Sequence, residues 1–304
     1  MKKFVLKVFL FFACVVLMDI VFGFAFSWLR SHATGGSTAN CEYIANHADE
    51  EIIILGSSRA THHYIPQIIE DSLGLSCYNC GEEGNGVVLA YGRLLMLTSR
   101  YKPKLVLYEL TPRYDYGSVD PNNKYLGYLR AYYGKEGVSK IFTDFDDDMS
   151  PFKMLSKMYQ NTGRLLPYLF DNVIYRDNHK GYEALYGEMK HIEGGTNNSN
   201  IDMIVDSLKL SYVEKVIELC NTKQIPLIFM ISPRLGDNQD MTLFEPGIYL
   251  CNKYNVPVYN YIICPTISDN IKCFQDEGHM NNYGAEAYTS LLVSDVLKDN
   301  LFHK

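Results

Sequence analysis

The stretch "EIIILGSSR", residues 51–59, decides the fold. An apolar, β-branched run without polar alternation is typical of a strand buried on both faces, as in a parallel sheet. The run ends at Gly56, and the hydroxyls of Ser57 and Ser58 follow at once. In an open parallel sheet, reactants bind beyond the carboxyl ends of the strands. The stretch therefore predicts a central strand and marks the place where reactive groups are expected.

The same alternation continues along the chain. Further apolar runs that predict strands lie at 75–79, 104–110, 226–232 and 256–262, and segments with helical periodicity lie at 65–73, 87–101, 204–222, 244–254 and 282–301. Strands separated by helices predict an α/β fold with three layers and a flavodoxin-like parallel sheet of about five strands. We assign this domain to residues 51–304.

Residues 112–203 are not needed for this alternation and are predicted to form a helical insertion. The insertion is rich in tyrosine, with Tyr125, Tyr128, Tyr132 and Tyr133 at helical spacing. Tyrosine has a flat apolar face and a hydroxyl, which suits stacking on sugar rings. Two interpretations stay open: a lid that binds glycan, and a helical cap that packs for stability or touches lipid.

The N-terminal segment, residues 1–30, is predicted to be a membrane anchor. Residues 8–28 form an apolar run, interrupted by Asp19, that is long enough to cross a bilayer. Lysines before the run place that end in the cytoplasm, so we expect a single-pass protein of the inner or cytoplasmic membrane with an extracytoplasmic domain. A signal peptide cleaved near Ser27 is the alternative. Residues 31–50 are small and polar and suggest a spacer.

Composition excludes several classes of function. The formal net charge is -7, with no basic cluster beyond the N-terminus, which argues against a nucleic-acid partner. The pair Cys77 and Cys80 lacks a second pair at zinc spacing, so burial is the better interpretation. A disulfide between Cys264 and Cys273 stays open. We expect no cofactor and no metal, because the sequence has no phosphate-binding glycine loop and no metal cluster.

A serine becomes a nucleophile when a base removes its proton and a third group orients that base. Asp276 and His279, three residues apart in the loop before the last predicted helix, meet this requirement. Ser58 is the candidate nucleophile, and the alternative is that it caps a helix. The turn after the second strand offers unobstructed backbone amides for an oxyanion, and we select Gly84.

These residues resemble the SGNH/GDSL hydrolase superfamily. Gly56-Ser57-Ser58 is similar to its first block, Asn79 and Gly84 to its second, and Asp276-Glu-Gly-His279 to its last, over residues 51–112 and 204–300. The resemblance implies that Ser58, His279 and Asp276 are catalytic and that the amides of Ser58 and Gly84 hold the oxyanion.

The chain departs from the family pattern at two blocks. Ser57 replaces the first-block aspartate, which resembles the exported acyl-transfer branch that includes D-alanine transfer and alginate acetylation proteins. Thr111-Pro-Arg113-Tyr-Asp115 replaces the third block, so its oxyanion side chain is missing. Thr111, Arg113 or the backbone amides alone could take that role.

Neighbouring polar residues have plainer interpretations. Arg59 is expected to anchor the turn after the first strand through carboxylate or carbonyl contacts. His62 and His63 are predicted to be solvated or to support the site from behind. Glu82 and Glu83 are adjacent in a turn and are expected to be exposed rather than to act as a carboxylate pair.

Two functions follow from these predictions. The first is a membrane-tethered extracytoplasmic serine esterase or O-acyltransferase. It would modify a cell-envelope or exported polysaccharide through an acyl-serine intermediate. Its partners would be an acylated glycan or acyl donor and a membrane-bound O-acyltransferase. The second is a catalytically degenerate SGNH-like protein that binds glycan or acts as a scaffold in an envelope export or acylation complex.

Overall fold

The structure is a computed structural model that describes residues 1–118, 123–145, 150–173, 179–189, 203–236 and 240–298. These residues belong to two units. Unit 1 comprises Met1–His47 and Asn122–Asp177, and unit 2 comprises Ala48–Pro121 and Asn178–Lys304. Unit 2 contains the sheet and unit 1 contains the apolar N-terminal helix.

Unit 2 is built on one parallel sheet of five strands. The strands are β1 (Ile52–Leu55), β2 (Cys77–Asn79), β3 (Leu105–Glu109), β4 (Leu227–Ile231) and β5 (Val258–Asn260). They lie in the order β2-β1-β3-β4-β5, which is the flavodoxin-like order. The predicted fold class is therefore confirmed.

Parallel strands need a crossover connection, and each crossover of this sheet contains a helix. Every residue of β1, β3 and β4 is buried, whereas β5 is an edge strand with partly exposed side chains. Ile53 of β1 is paired with Tyr78 of β2 on one side and with Val106 of β3 on the other. Apolar runs therefore identify the three central strands, although β3 ends with the buried Glu109.

Helices cover the sheet of unit 2. The α-helices are Ser58–His63, Pro66–Leu73, Val87–Thr98, Pro112–Asp115, Ser207–Thr222, Glu245–Lys253, Pro265–Ser268 and Asn282–Leu292, and a π-helical turn, Val293–Leu297, continues the last one. Short 3-10 helices lie at His179–Gly181, Thr242–Phe244 and Ile271–Cys273. The helix Ser58–His63 begins directly after β1 and was not predicted, because its six residues are too few to show periodicity.

Gly56 makes the sharp turn from β1 into this helix. Its φ is +143°, a conformation that residues with a Cβ rarely adopt. A Cβ at this position would lie 2.8 Å from the carbonyl oxygen of Glu109 and 2.9 Å from the Cβ of Ala60. Glycine is therefore required here to bring the following serines close to the end of β3.

Unit 1 is helical. Its helices are Lys2–Ser31, Gly36–Asn46, Asn123–Leu129, the 3-10 turn Arg130–Tyr132, Val138–Phe145, Ser150–Lys153, Lys157–Gln160 and Leu165–Val173. Among the described helices, Lys2–Ser31 is long and apolar enough to cross a membrane, since an 18-residue window within it has a mean hydropathy of 2.6. A membrane span and an N-terminal signal sequence both meet these criteria of length and composition.

The predicted spacer, residues 31–50, contains the packed helix Gly36–Asn46, in which Cys41 and Ile44 are buried. The insertion contributes tyrosines to the same unit. The Tyr132 hydroxyl donates to Glu42 over 2.6 Å, and the Arg164 guanidinium lies 4.1 Å from the centroid of the Tyr128 ring. Tyr133 packs against Phe142, and the side chain of Tyr125 lies outside the described part of the structure. These contacts belong to packing rather than to an open stacking surface.

Candidate active site

Ser58 is the first residue of the helix that follows β1, and its hydroxyl contacts an imidazole. Its Oγ lies 2.9 Å from Nε2 of His279. Ser57 occupies the N-cap position without a side-chain capping bond; its hydroxyl is buried and donates to Oγ1 of Thr111 over 3.0 Å. A capping role therefore does not account for the orientation of Ser58.

Asp276 orients this imidazole and shapes its loop. Both carboxylate oxygens lie 3.0 Å from Nδ1 of His279. One of them also accepts from the amides of Gly278 and His279, each over 2.8 Å. Partial burial raises the pKa of Asp276, but hydrogen bonds from His279 and from these amides outweigh it, so the pKa lies below the usual value. The carboxylate is therefore ionised at neutral pH.

The ionised carboxylate of Asp276 determines which nitrogen of His279 carries the proton. It can only accept, so a neutral His279 carries its proton on Nδ1 and presents the lone pair of Nε2 to the hydroxyl of Ser58. This assignment rests on the hydrogen-bond network. The three side chains come from the carboxyl end of β1 and from the loop before helix Asn282–Leu292. Serine, imidazole and carboxylate are thus arranged as nucleophile, base and orienting group.

His63 supports the loop that carries His279. Its Nε2 accepts a hydrogen bond of 3.0 Å from the amide of Met280, the next residue in the chain. Its Nδ1 lies 2.7 Å from Oγ of Ser232, which in turn donates to Glu109 over 2.7 Å. Burial, with the positive charge of Arg59, holds the pKa of His63 well below its usual value. His63 is therefore neutral, with Nδ1 as donor.

A buried ion pair lies beneath this contact. Nε of Arg59 is 3.1 Å from a carboxylate oxygen of Glu109, and the guanidinium also donates to the carbonyl of Ser232. The Tyr64 hydroxyl donates to the other oxygen of Glu109. Burial raises the pKa of Glu109, although Arg59 and these donors oppose the shift. Arg59 thus contacts both a carboxylate and a carbonyl. The positive charge of Arg59 and the negative charge of Glu109 are both buried next to the site.

His62 lies behind the imidazole of His279 and does not face solvent. Its side chain is buried, Nδ1 is 2.7 Å from the carbonyl of Glu183, and its ring meets that of His279 edge to face at 5.9 Å between centroids. Burial lowers its pKa. The solvated alternative for His62 and His63 is therefore wrong, because the helix turns both side chains inward.

Asn79 ties β2 to the first helix. Its amide nitrogen donates to the carbonyls of Ala60 and Tyr64 over 2.7 and 3.0 Å, and its side-chain oxygen accepts from the amide of Gly81 over 3.0 Å. Asn79 therefore shapes the turn. In that turn Gly84 has φ +64°, and no hydrogen bond between described residues uses the amide of Gly84 or of Ser58. Both amides stay available to a substrate oxygen.

The segment that replaces the third block is organised by Asp115. This carboxylate is buried and accepts from the amide of Thr111 over 2.6 Å and from the Tyr108 hydroxyl over 2.7 Å. Burial raises its pKa to about 7, although the hydrogen bonds oppose this. Arg113 is exposed, and its guanidinium lies 5.9 Å from the centroid of the Tyr114 ring.

Sequence reasoning missed Asp115, Glu109 and Ser232 as organisers of the site. Each follows or ends a strand, and that placement was the available signal. A position after a strand does not reveal whether a side chain turns outward to a ligand or inward to a partner.

The structure also locates the two adjacent glutamates and the cysteines. Glu82 is not exposed: its carboxylate pairs with the buried guanidinium of Arg93, while Glu83 is exposed. The described cysteines are free, and Cys77, Cys80, Cys264 and Cys273 are all buried. Within the described residues, no group of three or more His, Cys, Asp or Glu side chains could hold a metal ion.

No family model and no curated protein matches this chain. Among solved structures, 32 chains match. One is a GDSL-like lipase from Bacteroides thetaiotaomicron VPI-5482, with 10% sequence identity, a TM-score of 0.38 and coverage of 82% of this chain and 88% of the lipase. Another is the acetyl xylan esterase AlAXEase, with 10% identity, a TM-score of 0.39 and coverage of 81% and 99%. The solved structures that this chain resembles thus include a GDSL-like lipase and an esterase, at low overall similarity.

Proposed function

We propose that this protein is a serine esterase or O-acyltransferase of the SGNH/GDSL type, and that Ser58 is its nucleophile. The observation that carries the proposal is the 2.9 Å contact between Oγ of Ser58 and Nε2 of His279, whose other nitrogen is held by Asp276. The order of the sequence blocks at the strand ends supports the same assignment.

The first half-reaction forms an acyl-serine. Nε2 of His279 takes the proton of Ser58 as Oγ attacks the acyl carbonyl, and the resulting imidazolium is stabilised by Asp276. The amides of Ser58 and Gly84 donate to the oxyanion. When the tetrahedral intermediate collapses, the bond to the leaving oxygen or sulfur breaks, and His279 returns the proton to that leaving group.

The second half-reaction releases the acyl group. A hydroxyl of water or of a sugar loses its proton to His279 and attacks the acyl-serine carbonyl. Collapse of the second intermediate then breaks the bond to Oγ of Ser58, which regains its proton. Water as the acceptor gives hydrolysis, and a sugar hydroxyl gives a new ester.

We propose that the donor or the acceptor of the acyl group is a polysaccharide of the cell envelope or of an export route. This polysaccharide carries the acyl group before the reaction if it is the donor and after it if it is the acceptor. Two features support this choice. The Gly56-Ser57-Ser58 block resembles the exported acyl-transfer branch, and the apolar helix Lys2–Ser31 fits a tether in the inner or cytoplasmic membrane with unit 2 outside the cytoplasm. A membrane-bound O-acyltransferase would then supply the acyl group.

A degenerate glycan-binding or scaffold protein is the second candidate. The observation that favours it concerns the third block. Arg113 is exposed beside Tyr114, so its guanidinium is not held as an oxyanion donor. Thr111 accepts from Ser57 and keeps its own hydroxyl proton, so backbone amides and at most this one hydroxyl would have to stabilise the oxyanion.

Hydrolysis of p-nitrophenyl acetate by the detergent-solubilised full chain distinguishes the two candidates. We expect the variant Ser58→Ala to lose at least about 10³-fold in kcat, since the intact triad is needed to activate the hydroxyl. Ser290→Ala, which removes an exposed serine, is the matched control and should keep the wild-type rate. Equal rates for Ser58→Ala and wild type would favour the scaffold. Added glucose would reveal transfer by giving acetylated sugar at the expense of acetate.

A further inference from the structure

Unit 1 exposes apolar side chains outside its N-terminal helix. In the segment 150–173, seven large apolar side chains are exposed, five of them by more than half: Phe152, Leu155, Met158, Leu166, Leu169, Phe170 and Val173. Among its other side chains, Met154, Asn161 and Tyr168 are buried. A cluster of large exposed apolar side chains is typical of a surface that contacts a membrane or a partner protein.

Asp19 joins this segment to the N-terminal helix. Its carboxylate accepts from the hydroxyl of Ser156, from the amide of Lys157 over 2.9 Å and from the amide of Met158 over 3.1 Å. Gly23, one turn further along, lies so close to the segment that a Cβ there would be 2.3 Å from the Cβ of Lys157. The residue that interrupts the apolar run is therefore the one that holds the segment 156–158.

The position of Asp19 sets the depth of the segment. At 1.5 Å per residue, Asp19 lies about 18 Å from Lys7 and about 17 Å from Arg30 along the helix axis. A bilayer core is about 30 Å thick, so a helix that spans between these two charges has Asp19 near the midplane. Residues 156–158 contact Asp19 directly and must then lie at a similar depth.

We propose that the segment 150–173 is embedded in the bilayer beside helix Lys2–Ser31, with its exposed apolar side chains against lipid acyl chains. The inference rests on the membrane tether of the proposed function and adds a second element to it. It also implies that the N-terminal helix is retained, because cleavage near Ser27 would remove the partner of residues 156–158.

Charged groups of the segment are consistent with this location. Inside a membrane, ionisable residues pair with one another or face protein. Lys157 supplies a positive charge beside Asp19. Arg164 donates to the hydroxyl of Ser37 over 2.6 Å, and Asp171 accepts from the amide of Thr38 over 3.1 Å. Lys157, Arg164 and Asp171 therefore have polar partners within unit 1, as a lipid environment favours.

Depth-dependent quenching tests the inference on the full chain in liposomes of phosphatidylcholine. Cys14→Ala removes the exposed cysteine, and the remaining described cysteines are buried. Single cysteines at Leu155 and Leu169 carry the fluorophore NBD, and lipids with a doxyl group on the acyl chain act as quenchers. Val16→Cys, in the N-terminal helix, and Tyr249→Cys, exposed in unit 2, are the matched controls.

We expect the label at 155 to be quenched as strongly as the label at 16, with at least about twofold loss of intensity. The label at 169 should be quenched less, because Asp171 contacts Thr38 beyond the end of the N-terminal helix, and the label at 249 should be unaffected. Labels at 155 and 169 that behave like the label at 249, while the label at 16 is quenched, would overturn the inference and leave the tether intact. If the label at 16 is not quenched, both the membrane tether and the embedding of the segment 150–173 are overturned. Hydrolysis of p-nitrophenyl acetate by the same samples reports the catalytic proposal separately.

Discussion

His63 accepts a hydrogen bond from the amide of Met280, so the helix after β1 and the loop that carries His279 are fixed to each other by a direct contact of 3.0 Å. The two segments are far apart in the sequence. Ser58 and His63 lie in the same helix, and Met280 is adjacent to His279. The contact therefore sets the distance between the candidate nucleophile and its base without touching the reacting atoms.

Replacing His63 by Leu should impair positioning and stability together. The amide of Met280 would be buried without an acceptor, which costs about 1–3 kcal/mol in the free energy of unfolding. A small displacement of His279 should also lower kcat about 10- to 100-fold, with KM nearly unchanged. Steady-state kinetics on p-nitrophenyl acetate and urea unfolding measure the two effects. If stability falls while kcat stays at the wild-type value, His63 supports the fold only.

The buried charge of Arg59 makes a strong prediction for Glu109. The variant Glu109→Gln removes the carboxylate and leaves the guanidinium buried without its counter-charge, which should cost about 3–5 kcal/mol in unfolding free energy. The surface pair of Lys104 and Glu51 is the matched control, since both side chains are partly exposed. There Glu51→Gln should cost less than about 1 kcal/mol. Equal losses of unfolding free energy in Glu109→Gln and Glu51→Gln would show that burial does not increase the cost of breaking the ion pair.

The raised pKa of Asp115 predicts a pH dependence of stability. The pKa of the unfolded carboxyl is near its usual value of 3.8, whereas burial keeps the folded one protonated up to about pH 7. Between these values the folded state binds more protons, so the contribution of Asp115 to stability falls as the pH rises and is constant above about 7.

Asp115→Asn removes this titration. Relative to wild type, the variant should gain at least about 1 kcal/mol of unfolding free energy between pH 4.5 and pH 7.5, because one pKa unit corresponds to about 1.4 kcal/mol. Urea unfolding at both pH values measures the difference. Taking the difference from wild type also cancels titration of the other groups, Glu109 included. A constant difference between the two proteins would show that Asp115 does not titrate in this range.

We expect Asp19 to hold the segment 150–173 in place more strongly than other residues of the N-terminal helix do. Asp19→Leu makes the helix more apolar but leaves the hydroxyl of Ser156 and the amides of Lys157 and Met158 without their acceptor. We expect faster proteolysis within residues 150–173 in liposomes, by about fivefold or more, since each lost acceptor costs about 1–3 kcal/mol. Cys14→Leu, an exposed position on the same helix, should leave the rate unchanged. An unchanged rate for Asp19→Leu would mean that these hydrogen bonds do not hold the segment.

The sheet was predictable because its signal is local. Continuous apolar runs such as Ile52–Leu55 and Leu227–Ile231 identify buried strands, and the intervening helices require parallel pairing. The meeting of Ser58 with His279 followed from the same logic, since both lie at one edge of that sheet.

Other features depend on three-dimensional contacts that the sequence does not show. The inward orientation of His62 and His63 is set by a six-residue helix, and Glu82 is covered by Arg93 from the next helix. Helix Gly36–Asn46 was interpreted as a spacer because its own residues are small and polar. It packs through contacts with the insertion, such as that between Glu42 and Tyr132, which lie far away in the sequence.

The most direct test of the catalytic proposal is to identify the residue that reacts with a fluorophosphonate. The purified full chain is treated with the probe, digested and analysed by mass spectrometry, with Ser57→Ala, Ser58→Ala and His279→Ala in parallel. We expect the adduct on Ser58 in wild type and in Ser57→Ala, no adduct in Ser58→Ala, and labelling at least about 100-fold slower in His279→Ala, since the imidazole acts as the base. An adduct on another residue, or labelling of Ser58 at the same rate without His279, would contradict an activated Ser58.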